Sequence, residues 1–175
     1  MKSQDDRNTG DDSRLIHGYE QVLQRVEQTL ASATERSEDA LKQALDAARD
    51  KAVELGELSR EEADKVTEFI SRDLHDVGQY LAMEERELAD WLHLSLLVVE
   101  KKLLNRFTTL AHAAKLELKH FEKAKLRLSE WHTGEVTSIG TLSCQSCGEM
   151  IHFNRIGHIP PCPKCHATLY RRARS

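Results

Sequence analysis

Cys144-Gln145-Ser146-Cys147-Gly148 and, after a fourteen-residue spacer, Cys162-Pro163-Lys164-Cys165-His166 contain every cysteine of this 175-residue chain. Each C-x-x-C pair can offer two thiolates from one tight turn, and the spacer lets two such turns face each other, as in a four-cysteine zinc site. Cys144, Cys147, Cys162 and Cys165 are therefore the candidate metal ligands, for one zinc ion per chain. Zinc in a structural site fills all four tetrahedral positions with protein, leaving none for water or substrate, so this site is expected to hold the fold rather than catalyse. The residue after each second cysteine is expected to take positive φ, cheaply at Gly148 and less commonly at His166. Between the pairs Ile151, Phe153, Ile156 and Ile159 alternate with Asn154, Gly157 and Pro160-Pro161, a pattern of short strands and turns.

Other readings of the cysteines explain less. Cys162-Pro163-Lys164-Cys165-His166 matches the c-type haem string, but haem leaves Cys144 and Cys147 unexplained. Disulfides need an oxidising compartment, and Met1-Lys2-Ser3-Gln4-Asp5-Asp6 has no apolar stretch to act as a signal peptide. Thioredoxin-like chemistry needs a βαβ setting that the pattern lacks.

The composition is that of a soluble chain rich in exposed helix: 31% charged, 5% aromatic, formal charge -4. Residues 135–175 carry 5 Lys/Arg against 2 Asp/Glu, so the rest of the chain holds the acidic excess. Four thiolates and one zinc would leave that tail only mildly basic. The most apolar run, Trp91 to Val99, is far shorter than the roughly 20 residues of a membrane-spanning helix. A cytoplasmic setting is expected, where thiols stay reduced.

Residues 1–12 are polar and expected to be disordered. From 13 to about 133 prolines are absent, and apolar residues recur at helical spacing. Val22, Val26, Leu30, Ala44, Ala48 and Ala52 form one stripe, with a break or bend expected near 34–38. Gly56 ends a helix and Ser59-Arg60-Glu61-Glu62 is a capping box that starts the next. The second stripe runs Val66, Ile70, Leu74, Val77, Leu81, Leu88, Leu92, Val99 and Leu103, then Phe107, Leu110, Ala114, Leu118, Phe121 and Leu128, as one helix or two. Trp131-His132-Thr133-Gly134 is expected to end it. The expected fold is mainly α: a long antiparallel helical hairpin, coiled-coil-like, over 13–133, followed by a small β zinc ribbon over 134–175. On that reading, chelation unfolds residues 141–172 and the helical body persists.

Histidines and charges carry little chemistry in this pattern. His112 and His120 are two helical turns apart, about 12 Å, too far for one ion. His152, His158 and His166 are surplus to a shell of four thiolates. Glu54, Glu57, Glu61 and Glu62 gather at the hairpin tip, as a solvated helix start would have them. Arg171, Arg172 and Arg174 are read as a solvated tail with some capacity for phosphate. No catalytic dyad or phosphate loop occurs, so the chain is not expected to be an enzyme.

Gly56-Glu57-Leu58-Ser59-Arg60-Glu61-Glu62, Arg72-Asp73-Leu74, Gly134-Glu135-Val136, Gly140-x-Leu142-x-Cys144 and Cys162-Pro163-Lys164-Cys165 together resemble the uncharacterised bacterial zinc ribbon-containing family typified by YbeL. The resemblance spans about residues 15–172. It implies an all-helical body, a C-terminal ribbon with the four cysteines as zinc ligands, and no established activity; His166 departs from the Gly common there. The expected function is that of a non-enzymatic zinc-binding interaction protein with a protein partner, homo-oligomers being allowed. The alternative is a nucleic-acid-binding or RNA polymerase-associated factor, on the analogy of an acidic helical tip joined to a four-cysteine module.

Overall fold

A computed structural model describes residues 5–33, 38–82, 106, 109, 110 and 130–173. Among the described residues the elements are α1 (Asp5–Ser32), α2 (Glu38–Glu54) and α3 (Arg60–Ala82), then β1 (Trp131–His132), β2 (Val136–Thr137), β3 (Gly140–Cys144), β4 (Met150–Phe153), β5 (Gly157–His158) and β6 (Leu169–Arg172).

Each helix exists because its apolar residues share one face. On α1 Tyr19, Val22, Leu23, Val26 and Leu30 are buried; on α2 Ala44, Leu45, Ala48 and Ala52; on α3 Ala63, Val66, Phe69, Ile70, Leu74 and Val77. These spacings of three, four and seven put the side chains on one stripe that only a neighbouring element can cover. α2 runs back along α1, so that its C-terminal turn meets the first half of α1. There Arg25 grips Glu57 with two bonds of 2.6 and 2.7 Å, and Leu58 fills the space over Gly18. α3 then returns along α2, with Arg60 2.7 Å from Asp50 and Arg49 3.6 Å from Asp64.

The turn at 56–59 lies where the sequence puts it. Gly56 takes φ +69°, its amide donates to the Val53 carbonyl and that of Glu57 to the Ala52 carbonyl, each at 3.0 Å. This pair of bonds is a Schellman stop. The Ser59 amide donates to the Glu62 carboxylate at 2.6 Å and the Glu62 amide to the Ser59 hydroxyl at 3.2 Å, completing the capping box.

The strands form two antiparallel sheets, one of order β1-β6-β3-β4 and one pairing β2 with β5. Trp131 lies opposite Tyr170, and Cys144 also lies opposite Tyr170 on the other side of β6. Val136, Ile139 and Ile156 join the helical core, whereas Trp131, Leu142, Ile159 and Tyr170 pack around the cysteines.

Several expectations are overturned. The mainly α class and the long helical hairpin give way to a three-helix unit joined to two sheets. The first arm is split between Ser32 and Glu38, so α2 covers the α1 stripe instead of continuing it. Trp131-His132 do not end a helix. They form β1, because their backbone groups pair with β6 and the indole is buried. Gly134 does take positive φ, +89°, but in the turn from β1 to β2. The helix expected to follow a disordered stretch 1–12 already begins at Asp5. The boundary between body and ribbon is crossed by the shared core. Leu110 is buried in it and Arg106 pairs with Glu27 at 3.2 Å; the rest of the stripe from Leu88 to Leu128, and the question of one helix or two, lies outside the described residues.

Candidate metal centre

The four cysteines are carried by two knuckles of the same design. Cys144 ends β3, and the Gly148 amide closes the first turn on the Cys144 carbonyl at 2.9 Å. In the second, the His166 amide closes on the Cys162 carbonyl, also at 2.9 Å. Both closing residues have positive φ, +75° at Gly148 and +60° at His166. A residue with a Cβ is thus accepted where Gly is easiest, and the doubt attached to His166 falls away. The knuckles are fixed to the sheet by Cys144 N–H to the Glu149 carbonyl, 2.8 Å, and Cys162 N–H to the Ala167 carbonyl, 2.9 Å.

This brings all four sulfurs within 4.8 Å of one another. The closest pairs, Cys144 with Cys165 and Cys147 with Cys162, stand at 3.6 Å. A tetrahedron of thiolates at a Zn–S distance of about 2.3 Å has sulfurs about 3.8 Å apart, so the cluster has the size of a closed four-thiolate site. A disulfide, with sulfurs about 2.0 Å apart, does not fit.

The electrostatics also call for a cation. The Glu149 amide favours the Cys147 thiolate, but burial and the three neighbouring sulfurs outweigh it and push that thiol up to about 12. Burial opposes ionisation of Cys162, yet the Cys165 and Lys164 amides and the adjoining sulfurs bring it down to about 7. The site thus pushes Cys147 and Cys162 in opposite directions, whereas a bound divalent ion favours the thiolate form of its ligands. Burial and the neighbouring sulfur charges also push Tyr170 up to about 12, so it stays a phenol. It donates to the Pro160 carbonyl at 2.8 Å, pinning the segment that leads into the second knuckle.

The histidines stand apart from this shell. His152 bonds the Thr141 hydroxyl at 2.8 Å, His158 the Gly134 carbonyl at 3.1 Å, and His166 is exposed. His112 and His120 lie outside the described residues. The tip carboxylates are all engaged: Glu54 with Lys51, Glu57 with Arg25, Glu61 with Lys65, and Glu62 in the cap.

Sequence reasoning missed the second polar centre, where α3 meets the ribbon. Asp73 is fully buried, and its carboxylate accepts from Tyr19 Oη at 2.9 Å, Trp131 Nε1 at 3.0 Å, Thr137 Oγ1 at 3.1 Å and the Ser138 amide at 2.7 Å. Arg72 and Arg172 each approach it to 3.5 Å. Burial raises the Asp73 pKa, but Arg72, Arg172 and the Ser138 and Trp131 donors prevail and hold it below the ordinary carboxylate value. Arg172 also pairs with Asp76 at 3.2 Å and lies 4.8 Å over the Trp131 ring, with Arg72 at 5.0 Å. Arg72 further bonds the Glu135 carboxylate and, at 3.2 Å, the Val136 carbonyl. Arg172 is accordingly no part of a solvated tail. A signal did exist: Asp73 follows Ile70 by three and precedes Val77 by four, placing a charge on an otherwise apolar face.

A family model, DUF1451, described as a zinc-ribbon containing domain, matches residues 28–174. No curated protein and no solved structure matches the chain significantly.

Proposed function

Because the chain belongs to the zinc-ribbon containing domain family DUF1451, we propose that it is a non-enzymatic zinc-binding interaction protein. Cys144, Cys147, Cys162 and Cys165 hold one structural zinc ion per chain. The carrying observation is four sulfurs within 4.8 Å of one another, a donor set that fills a tetrahedral shell and leaves no ligand position for substrate. The other polar centre supports the same reading, since Asp73 is fully buried and its carboxylate is taken up by donors from α1 and the ribbon. No helix among the described residues is long and apolar enough to cross a membrane. Four free thiols suit a reducing compartment such as the cytoplasm.

The ligand is another protein in this reading. Nucleic acid is the weaker choice, because burial of Arg172 removes a phosphate contact from the basic tail and leaves Arg171 exposed. The tip carboxylates Glu57 and Glu61 pair with Arg25 and Lys65, which supports the same preference over a polymerase-associated factor.

Metal analysis of the purified full chain, with thiols fully reduced, tests the centre. One zinc per chain is expected, released by a thiol-modifying reagent and lost in Cys147→Ser with Cys165→Ser. Absence of metal from the reduced, folded chain overturns the proposal.

A further inference from the structure

We infer that the Asp73 network ties metal occupancy of the ribbon to the packing of the helices, so that losing zinc loosens α1–α3 rather than the ribbon alone. The inference rests on the zinc reading above and adds to it a coupling between the metal centre and a distant part of the chain.

The connection is short and continuous. Tyr170 lies opposite Cys144 on one side of β6 and opposite Trp131 on the other, and all three are buried in the cluster that contains Cys162. Trp131 donates its indole proton to Asp73 on α3. Two residues beyond Tyr170 on the same strand, Arg172 carries its guanidinium to Asp73 and Asp76. From the other sheet, Thr137 and Ser138 hold Asp73, while Val136, Ile139 and Ile156 complete the helical core. Tyr19 brings α1 to the same carboxylate. A ribbon attached only through a linker would have none of these contacts.

The physical consequence runs in both directions. Without the ion the knuckles have nothing to hold four close thiols together, and β6 and β1 lose their anchor at Cys144 and Tyr170. Withdrawal of Trp131 and Arg172 would leave Asp73 a buried anion with one donor and one arginine fewer, which the low-dielectric interior penalises. Reciprocity then requires that weakening the Asp73 contacts also weaken zinc, although Asp73 touches no ligand.

The test uses the full-length chain, with and without zinc, under reducing conditions. Helix content is followed by circular dichroism on heating, and zinc by competition with a chromogenic chelator. Removing zinc is expected to lower the helical melting temperature by roughly 5 °C or more. Asp73→Asn is expected to release zinc on the order of tenfold more readily, within the usual range of site coupling. Leu45→Ala, in the helical core and away from the Asp73 contacts, serves as a control and should weaken zinc retention less than Asp73→Asn does. A chain that binds zinc but whose helices melt at the same temperature without it overturns the coupling and leaves the zinc reading standing. A chain that binds no zinc removes both. Should Asp73→Asn fail to fold, the comparison of zinc-loaded and zinc-free wild type decides alone, and Tyr19→Phe replaces it in the competition.

Discussion

At Asp73 a full negative charge is removed from water and held by donors from α1, β1, β2 and the residue after β2, with an arginine on either side. Bonds to a charged acceptor contribute more than neutral ones, about 1.5–3 kcal/mol each. Tyr19→Phe keeps the ring and deletes one donor; it is expected to lower unfolding stability by about that amount in urea titration. The pH response follows from the direction of the Asp73 shift. Its pKa is depressed in the folded chain, so its stabilisation is fully present above the unfolded value of about 3.9 and is lost as pH falls through the lower folded value. Wild type should therefore lose stability below about pH 4, with a steeper acid slope than Asp73→Asn. Glu57, held low by Arg25, adds to that slope, but less, since the pair is partly solvated. A midpoint in acid that does not move in Asp73→Asn would remove the carboxylate from the account.

Between elements, the junction from α2 to α3 is fixed by a helix stop at Gly56 and a capping box at Ser59. A Cβ at Gly56 would meet nothing within 4 Å, so the cost of Gly56→Ala is backbone conformation at φ +69° alone, about 1 kcal/mol. Ser59→Ala removes the hydroxyl that accepts from Glu62, for a similar loss of about 1 kcal/mol. Leu58→Ala should cost more, about 2–4 kcal/mol, because Leu58 is 2% exposed and seated over Gly18. Chemical denaturation of the three variants checks both the sizes and their order. This junction was legible in sequence because its signals are local: a glycine, a serine and a glutamate at fixed offsets. The knuckles were legible for the same reason. What was not legible depends on residues far apart. The return of α2 onto α1 is decided by which stripe covers which, and a single helical period cannot express that. Trp131-His132 become a strand through pairing with β6, nearly forty residues later in the chain, while local propensity reads them as a helix end. The Asp73 centre draws on residues 19, 72, 131, 137, 138 and 172, and no short motif contains them.

For the molecule as a whole, the helices and the ribbon share one interior. Truncation after residue 130 would take Val136, Ile139 and Ile156 out of the helical core and leave Asp73 without Trp131, Thr137, Ser138 and Arg172. Such a fragment is expected to retain helix by circular dichroism but to unfold over a broad range in urea, with a smaller m value than the full chain. A sharp transition at the wild-type midpoint would show the helical body to be autonomous. Nucleic-acid affinity is expected to be slight, with a salt slope no steeper than about -2 in an anisotropy titration, because Arg172 is committed to Asp73 and Asp76. The order of the larger sheet has a bearing on synthesis as well. Among the described residues β6 is the last strand in chain order, and it sits between β1 and β3 with β1 at the edge of the sheet. A nascent chain that has emerged only to Cys165 already displays all four thiols, yet it lacks the strand that joins Trp131 to Cys144. In chain order, then, the four thiols are complete before the strand carrying Tyr170 and Arg172, which closes the sheet between Trp131 and Cys144.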